Sequence, residues 1–320
     1  MKLGVFTALF QDRSFGEALD YIADLGLDSV EVGTGNYPGN AHCPLDELVA
    51  SKAKAVEWKK QITARGLTLE ALSCHGNSLH PNKKFARANH DVHRKTIKLA
   101  SLIDVPTVVE FSGCPGDTDA AAKPNWVTCA WPPDFMEILE WQWSKKVLPY
   151  WKAEAKVAKN AGVRIAFEAH PGFVVYNPDT LLKLREACGD SLGCNFDPSH
   201  FFWQGIDPIA AVKRLAGCIY HVHAKDVKID QANSAVNGNL DTKGYGQLTE
   251  RSWIFRTVGY GHGELFWRDF VSTLRTAGYD GVLSIEHEDA LMSSREGFEK
   301  AVGFLKPLIL RDPPAQMWWA

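Results

Sequence analysis

Four stretches in the second half of the sequence place acids and imidazoles directly after short apolar runs. They are Ile165-Ala166-Phe167-Glu168-Ala169-His170, Asn195-Phe196-Asp197-Pro198-Ser199-His200, Tyr220-His221-Val222-His223-Ala224-Lys225-Asp226 and Ser284-Ile285-Glu286-His287-Glu288. Alternate side chains of a strand share a face, so Glu168 and His170 fall together, as do His221 and His223. Three carboxylates crowded at a dry rim repel one another and raise their own pKa values unless a cation sits among them. Carboxylate oxygens with one imidazole suit a divalent ion of the Mn²⁺ kind, with Mg²⁺ or Co²⁺ as alternatives, whereas structural zinc prefers sulfur and nitrogen. Glu168, Asp197, His223 and Glu286 are the expected metal ligands. The competing reading leaves them salt-bridged, with no metal.

Positioning these groups requires strands that end on one rim. The spacing predicts strands at Lys2–Phe6, Asp28–Val32, Thr68–Ser73, Pro106–Phe111, Val163–Phe167, Gly193–Phe196, Cys218–His223 and Gly281–Ile285. Between them lie helical stretches, with Phe15, Ala18, Leu19 and Ile22 on one face of the first. Others are predicted over Leu48–Arg65, Ala86–Leu102, 133–161, Asp179–Ala187 and Pro208–Leu215. Stripes at Trp267, Phe270, Val271 and Leu274, and at Phe298, Ala301, Val302 and Leu305, give the last two. Eight strand–helix units in order argue for a single (β/α)8 TIM barrel over residues 1–320, rather than an open doubly wound sheet. Ser112–Pro133 and Lys228–His262 are long loops after strands four and seven, on the face where barrels carry their sites. Both are expected as walls or lids.

Composition sets the outer limits. Of 320 residues, 45% are hydrophobic and 23% charged, with a formal net charge of -3, as in ordinary globular proteins. No basic run offers a footprint for nucleic acid, so none is expected as partner. Neither a secretory signal nor an apolar run of roughly 18 residues is visible, so no membrane association is expected. Seven cysteines without a CxxC pair read as reduced thiols in the cytoplasm.

The ordered set of segments resembles the xylose isomerase-like TIM barrels, the sugar phosphate isomerases/epimerases. The resemblance rests on Leu72-Ser73-Cys74-His75-Gly76-Asn77, Phe167-Glu168-Ala169-His170, Asp197-Pro198-Ser199-His200 and His221-Val222-His223-Ala224-Lys225-Asp226. Gly259-Tyr260-Gly261-His262-Gly263 and Gly278-Tyr279-Asp280-Gly281 with Ile285-Glu286 complete it. It implies one Mn²⁺-type ion on the four residues already picked. It also implies a metal-dependent isomerase or epimerase in which Glu168 and Glu286 move a proton next to the carbonyl of a keto-sugar or keto-glycoside, through a metal-bound enediolate.

His170 opens a second reading as a metal-free general base, because some relatives cleave 3-oxo-glycosides by β-elimination, possible here within a complex. A non-catalytic sugar-binding subunit is the third reading. His75, Glu110, His200 and Arg256 are candidate substrate contacts, and Trp126, Trp131, Trp203 and Trp253 candidate stacking platforms. No glycine-rich phosphate cradle is present. The expected partner is a small sugar or glycoside, and the apolar Trp318-Trp319 end suggests self-association or a small partner subunit.

Overall fold

A computed structural model of the chain describes residues 1–319. Its strands are β1 (Lys2–Phe6), β2 (Ser29–Gly33), β3 (Thr68–Ser73), β4 (Thr107–Glu110), β5 (Arg164–Glu168), β6 (Leu192–Phe196) and β7 (Ile219–Ala224). β8 (Asp226–Ile229) and β9 (Trp253–Arg256) pair antiparallel inside the connection that follows, before β10 (Val282–Ile285). β1 to β7 and β10 close into a parallel barrel, with β10 in register against β1 from Lys2 opposite Val282 to Val5 opposite Ile285. The fold is a single TIM barrel.

Among the described residues, twelve α-helices accompany the strands. They are α1 (Phe15–Asp24), α2 (Leu45–Ala50), α3 (Lys52–Thr63), α4 (Lys83–Leu102), α5 (Pro133–Trp141) and α6 (Leu148–Asn160). The rest are α7 (Pro178–Cys188), α8 (Pro198–Trp203), α9 (Pro208–Arg214), α10 (Gln231–Asn237), α11 (Glu264–Thr276) and α12 (Ser294–Leu305). Local chemistry sets their ends. Ser14 and Glu17 form a reciprocal capping box on α1, and Gly26 leaves its C-terminal side at φ +69°. The single helix expected over Leu48–Arg65 is two, because Ser51 takes an extended conformation and its hydroxyl caps α3. A π-helical turn at Gln142–Val147 joins α5 to α6. None of the helices among the described residues is long and apolar enough to cross a membrane.

Strand alternation divides the interior into two regimes. Val30, Val108, Ile165, Phe167 and Leu283 point outward and pack under the helices in the main hydrophobic cluster. Each such buried side chain stabilises the fold by about 1.5–3 kcal/mol. Inside the barrel, Ala71, Val109, Ala166 and Tyr220 form a small apolar floor. Gly193 makes that floor possible, since a β-carbon there would collide with the Tyr220 ring. Further along the axis the interior is polar: Glu31, Ser73, Asn195, His221, His223 and Ser284 are all buried. The barrel is held by its outer layer, which frees its axis for chemistry.

Candidate metal centre and active site

β5, β6, β7 and β10 deliver Glu168, Asp197, His223 and Glu286 to one point, each offering a ligand atom within 4.8 Å of the others. His223 Nδ1 lies 3.1 Å from both Glu168 Oε2 and Glu286 Oε2. Asp197 caps α8, with Oδ1 accepting from the Ser199 amide at 2.8 Å. Its Oδ2 is buried without a hydrogen-bond partner. Lys225 Nζ and His200 Nε2 stand 3.3 Å from it without forming a hydrogen bond. Three carboxylates and one imidazole, with the unbonded Oδ2 among them, fit a divalent cation held by these four residues.

A further carboxylate supports the cluster from below. Glu31 on β2 accepts hydrogen bonds from His223 Nε2 at 3.0 Å, His221 Nε2 at 2.8 Å and Ser284 Oγ at 2.7 Å, and also from Ser73 Oγ. Burial opposes charge on His223, but Glu31 and Glu286 outweigh it and hold the imidazole well above its ordinary pKa. With Nε2–H committed to Glu31, Nδ1 carries the proton that a divalent cation would displace on binding. We expect Glu31→Gln to weaken Mn²⁺ binding about 10–100-fold, as read by calorimetric titration. Unaltered affinity would remove Glu31 from the support of the site.

Glu168 is buried, which disfavours its charge, yet contacts from His200, His223 and His75 hold it well below the usual carboxylate range. His75 Nε2 donates to Glu168 Oε2 at 3.1 Å, and Asn195 Nδ2 donates to the same oxygen at 3.0 Å. His200 Nε2 lies 3.0 Å from Glu168 Oε1 and 3.3 Å from Asp197 Oδ2, off the line of a hydrogen bond. Lys225 Nζ lies 3.0 Å from Glu286, 3.1 Å from Glu288 and 3.3 Å from Asp197. Against its own burial penalty, Lys225 and His223 hold the Glu286 carboxyl down at about 2. Both glutamates are therefore ionised at neutral pH.

A cavity of about 460 Å³ opens above this cluster, with Glu168, Glu286, His75, Phe6, Phe111 and His287 on its wall. His170 is set at its side, with its ring centroid 4.0 Å from that of His200 and 4.9 Å from that of Phe111. Its Nδ1–H donates to the Pro171 carbonyl at 2.6 Å, which leaves Nε2 as an acceptor. Burial and the neighbouring His200 push its pKa down to about 3, so the ring is neutral.

Two predicted contacts lie elsewhere. Glu110 points outward from β4, bonded to His93 of α4 behind the barrel wall, and Phe111 holds the inward position at the rim. Arg256 on β9 is tied to Asp289, its Nε 3.0 Å from Oδ2. The loop after β4 also stays off the cavity walls, pinned outward where Gln142 Nε2 donates to the carbonyls of Gly116 at 2.9 Å and Asn125 at 2.7 Å. Trp203 and Trp253 stack on each other, centroids 4.7 Å apart, and Trp126 packs edge-on against Tyr176. Trp131 is exposed.

The loop after β7 does come close to the cluster, where the Phe255 ring lies 4.8 Å from Lys225 Nζ and 5.7 Å from the His200 ring. Asp226 anchors its return, with Oδ2 accepting from the amides of Gly259 at 3.1 Å, Gly261 at 3.1 Å and His262 at 2.9 Å. His262 Nδ1 donates to Oδ1 at 2.7 Å. A β-carbon on Gly261 would collide with the Val227 carbonyl oxygen and with Asp226 itself. Glu31, Asn195 and Lys225, all essential to this geometry, are not singled out by sequence spacing. Inward parity on β2 and β6 is the signal that finds the first two.

Comparison with known proteins agrees with the fold. The family described as xylose isomerase-like TIM barrel matches residues 19–308. YfiH, an uncharacterized protein of Bacillus subtilis (strain 168), is 40% identical over 312 residues, covering 97% of this chain and 99% of its own. Among solved structures, the 3-keto-D-glucoside 4-epimerase YcjR from E. coli superposes with TM-score 0.65 at 13% identity, over 96% of this chain and 99% of that one. The probable 3-DHS dehydratase AsbF from Bacillus anthracis superposes with TM-score 0.66 at 13% identity, over the same shares of the two chains.

Proposed function

The chain belongs to the xylose isomerase-like TIM barrel family, and from that membership we propose a divalent-metal-dependent sugar isomerase or epimerase acting on a keto-sugar or keto-glycoside. The observation that carries this reading is the convergence of Glu168, Asp197, His223 and Glu286 at the base of a cavity that Glu168 and Glu286 both line. These four residues would hold one ion, Mn²⁺ ahead of Mg²⁺ or Co²⁺, which when bound supplies Lewis-acid polarisation of a carbonyl. The chain's own residues handle the proton. Glu168 and Glu286 stand on strands separated by β6 and β7, so they address a substrate from two directions. One takes the proton from the carbon next to the carbonyl. Return by the other to the opposite face inverts that carbon, and return to the neighbouring carbon interconverts ketose and aldose. His75 and Asn195 orient Glu168 by donating to Oε2, and Lys225 orients Glu286. The likeness to a keto-glucoside epimerase supports a glycosidic keto-sugar among the substrates.

His170 favours a second reading, β-elimination from a 3-oxo-glycoside. Its free Nε2 acceptor stands beside the cluster, and the likeness to a dehydratase points the same way. The C–H electron pair would become the C=C bond as the leaving oxygen departs with the C–O pair, and His170 would keep the proton.

One experiment separates these readings. Metal-stripped and Mn²⁺-loaded protein are incubated in deuterated buffer with free ketoses and with methyl and phenyl 3-oxo-glucosides. Deuterium entering recovered sugar next to the carbonyl, only with metal, is the expected result. Release of methanol or phenol would favour elimination. Sugar binding without either outcome would leave a sugar-binding subunit, and full activity without metal would overturn the proposal.

A further inference from the structure

We infer that the substrate has two parts, a polar sugar ring and an uncharged aryl or alkyl substituent held in a separate pocket of its own. This rests on the keto-sugar reading above and names the substrate class within it. A second cavity, of about 300 Å³, adjoins the first. Glu288 lines both, so the two hollows meet at that side chain. His170 lines it together with Tyr245, Leu248, Ile254 and Phe255.

The two hollows differ in chemistry. The first carries hydrogen-bonding groups on several sides, including Gln11, His75, Glu168, Glu286 and Ser294, as a ring of hydroxyls requires. The second has an apolar and aromatic wall of Tyr245, Leu248, Ile254, Phe255 and Ala290, with His170 and Glu288 as its polar members. No lysine or arginine lines it, and Glu288 is already committed to Lys225 at 3.1 Å. An anionic substituent would meet an acid there, while the two nearby cations are already engaged, Lys225 with Glu286 and Glu288 and Arg251 with the Lys243 carbonyl and the Tyr245 ring. An apolar one would bury itself against Phe255 and Tyr245, whose rings lie within 16° of parallel.

The wall is also an addition to the barrel. Tyr245, Leu248, Ile254 and Phe255 all belong to the connection that contains β8 and β9, and Tyr245 is left 61% exposed there. Tyr245 and its neighbour Leu248 sit where a bound aryl group would cover them.

The test compares methyl and phenyl 3-oxo-glucosides by calorimetry on Mn²⁺-loaded protein, with deuterium exchange followed in parallel. The phenyl compound should bind at least about tenfold more tightly, the scale on which a hydrophobic pocket discriminates. In Tyr245→Ser and in Leu248→Ser, both on the surface of the insertion, that ratio should fall below about threefold. Equal affinities in the wild type, or a ratio that both substitutions leave intact, would overturn the inference. Because binding is read directly, selective phenyl binding without exchange would uphold the pocket while failing the proposed reaction. Exchange with no phenyl preference would do the reverse.

Discussion

Glu286→Gln and Glu168→Gln should each reduce deuterium incorporation next to the substrate carbonyl by about 10²–10⁴-fold, the usual contribution of a positioned acid–base group. Glutamine keeps the size and one oxygen of each side chain but cannot accept the proton. The two substitutions should differ in a second readout. Glu168 is the more deeply enclosed, its side chain 3% exposed against 18% for Glu286, and it is contacted by His75, Asn195, His200 and His223. Glu168→Gln also forces an amide against at least one nitrogen donor, so it should perturb Mn²⁺ affinity as well as turnover. Glu286→Gln breaks the Lys225 contact and should leave metal binding closer to normal. Bound manganese measured by elemental analysis, alongside exchange rates, separates lost metal from lost base. Full exchange in both variants would remove the pair from the mechanism.

The second large effect lies outside the barrel. His93 on the inner face of α4 sits between Glu110 and Glu154, its Nε2 3.1 Å from Glu154 and its Nδ1 hydrogen-bonded to Glu110. All three are buried, and Arg94 also donates to Glu154. Replacing His93 by Leu leaves two buried carboxylates facing each other across an apolar side chain. Losing one partner of a buried charged cluster costs about 3–5 kcal/mol, and we expect that loss in denaturant unfolding at pH 5.5. A loss under 1 kcal/mol, roughly that of a surface pair, would show that the cluster is not ionised.

The same cluster has a pH signature. Burial alone would lower the His93 pKa, but Glu110 and the surrounding hydrogen bonds raise it well above its ordinary value. Its contribution is therefore complete below about pH 6.5 and declines as pH rises through the folded-state value. Glu154 runs the other way. Burial works against its charge, yet His93 and Arg94 lower its pKa, so its contribution is present above about 4.5 and is lost as acid is added. The window in which both act fully lies between those two values.

The barrel was legible because eight apolar runs alternate with amphipathic stretches, and each expected strand lies within one or two residues of its observed bounds. The cluster of Glu168, Asp197, His223 and Glu286 was legible for a related reason, since all four lie at or directly after the C-terminal ends of strands. Glu110 shows where the logic needs parity as well as position. β4 turns Val109 and Phe111 inward, so the acid between them faces α4, and a shift of one residue exchanges the two faces. Glu31 was hidden for the opposite reason: its partners His221 and His223 are 190 and 192 residues away in sequence. Arg256 looked free because Asp289, which takes it, lies beyond the intervening helix α11. Which of two long loops would wall the cavity could not be read from glycine and proline content; the backbone carbonyls that hold the β4 loop outward belong to no motif.

The grip of Asp226 on the amides of Gly259, Gly261 and His262 has an evolutionary consequence. It closes the base of the β8–β9 insertion independently of what lies at the tip, and the entropic cost of closing a loop rises only slowly with its length. Residues 240–250 could thus be lengthened, shortened or exchanged while the clasp at the root keeps the barrel rim in place. Under the proposed function, selection could retune which appendage a substrate carries without disturbing Glu168, Asp197, His223 and Glu286.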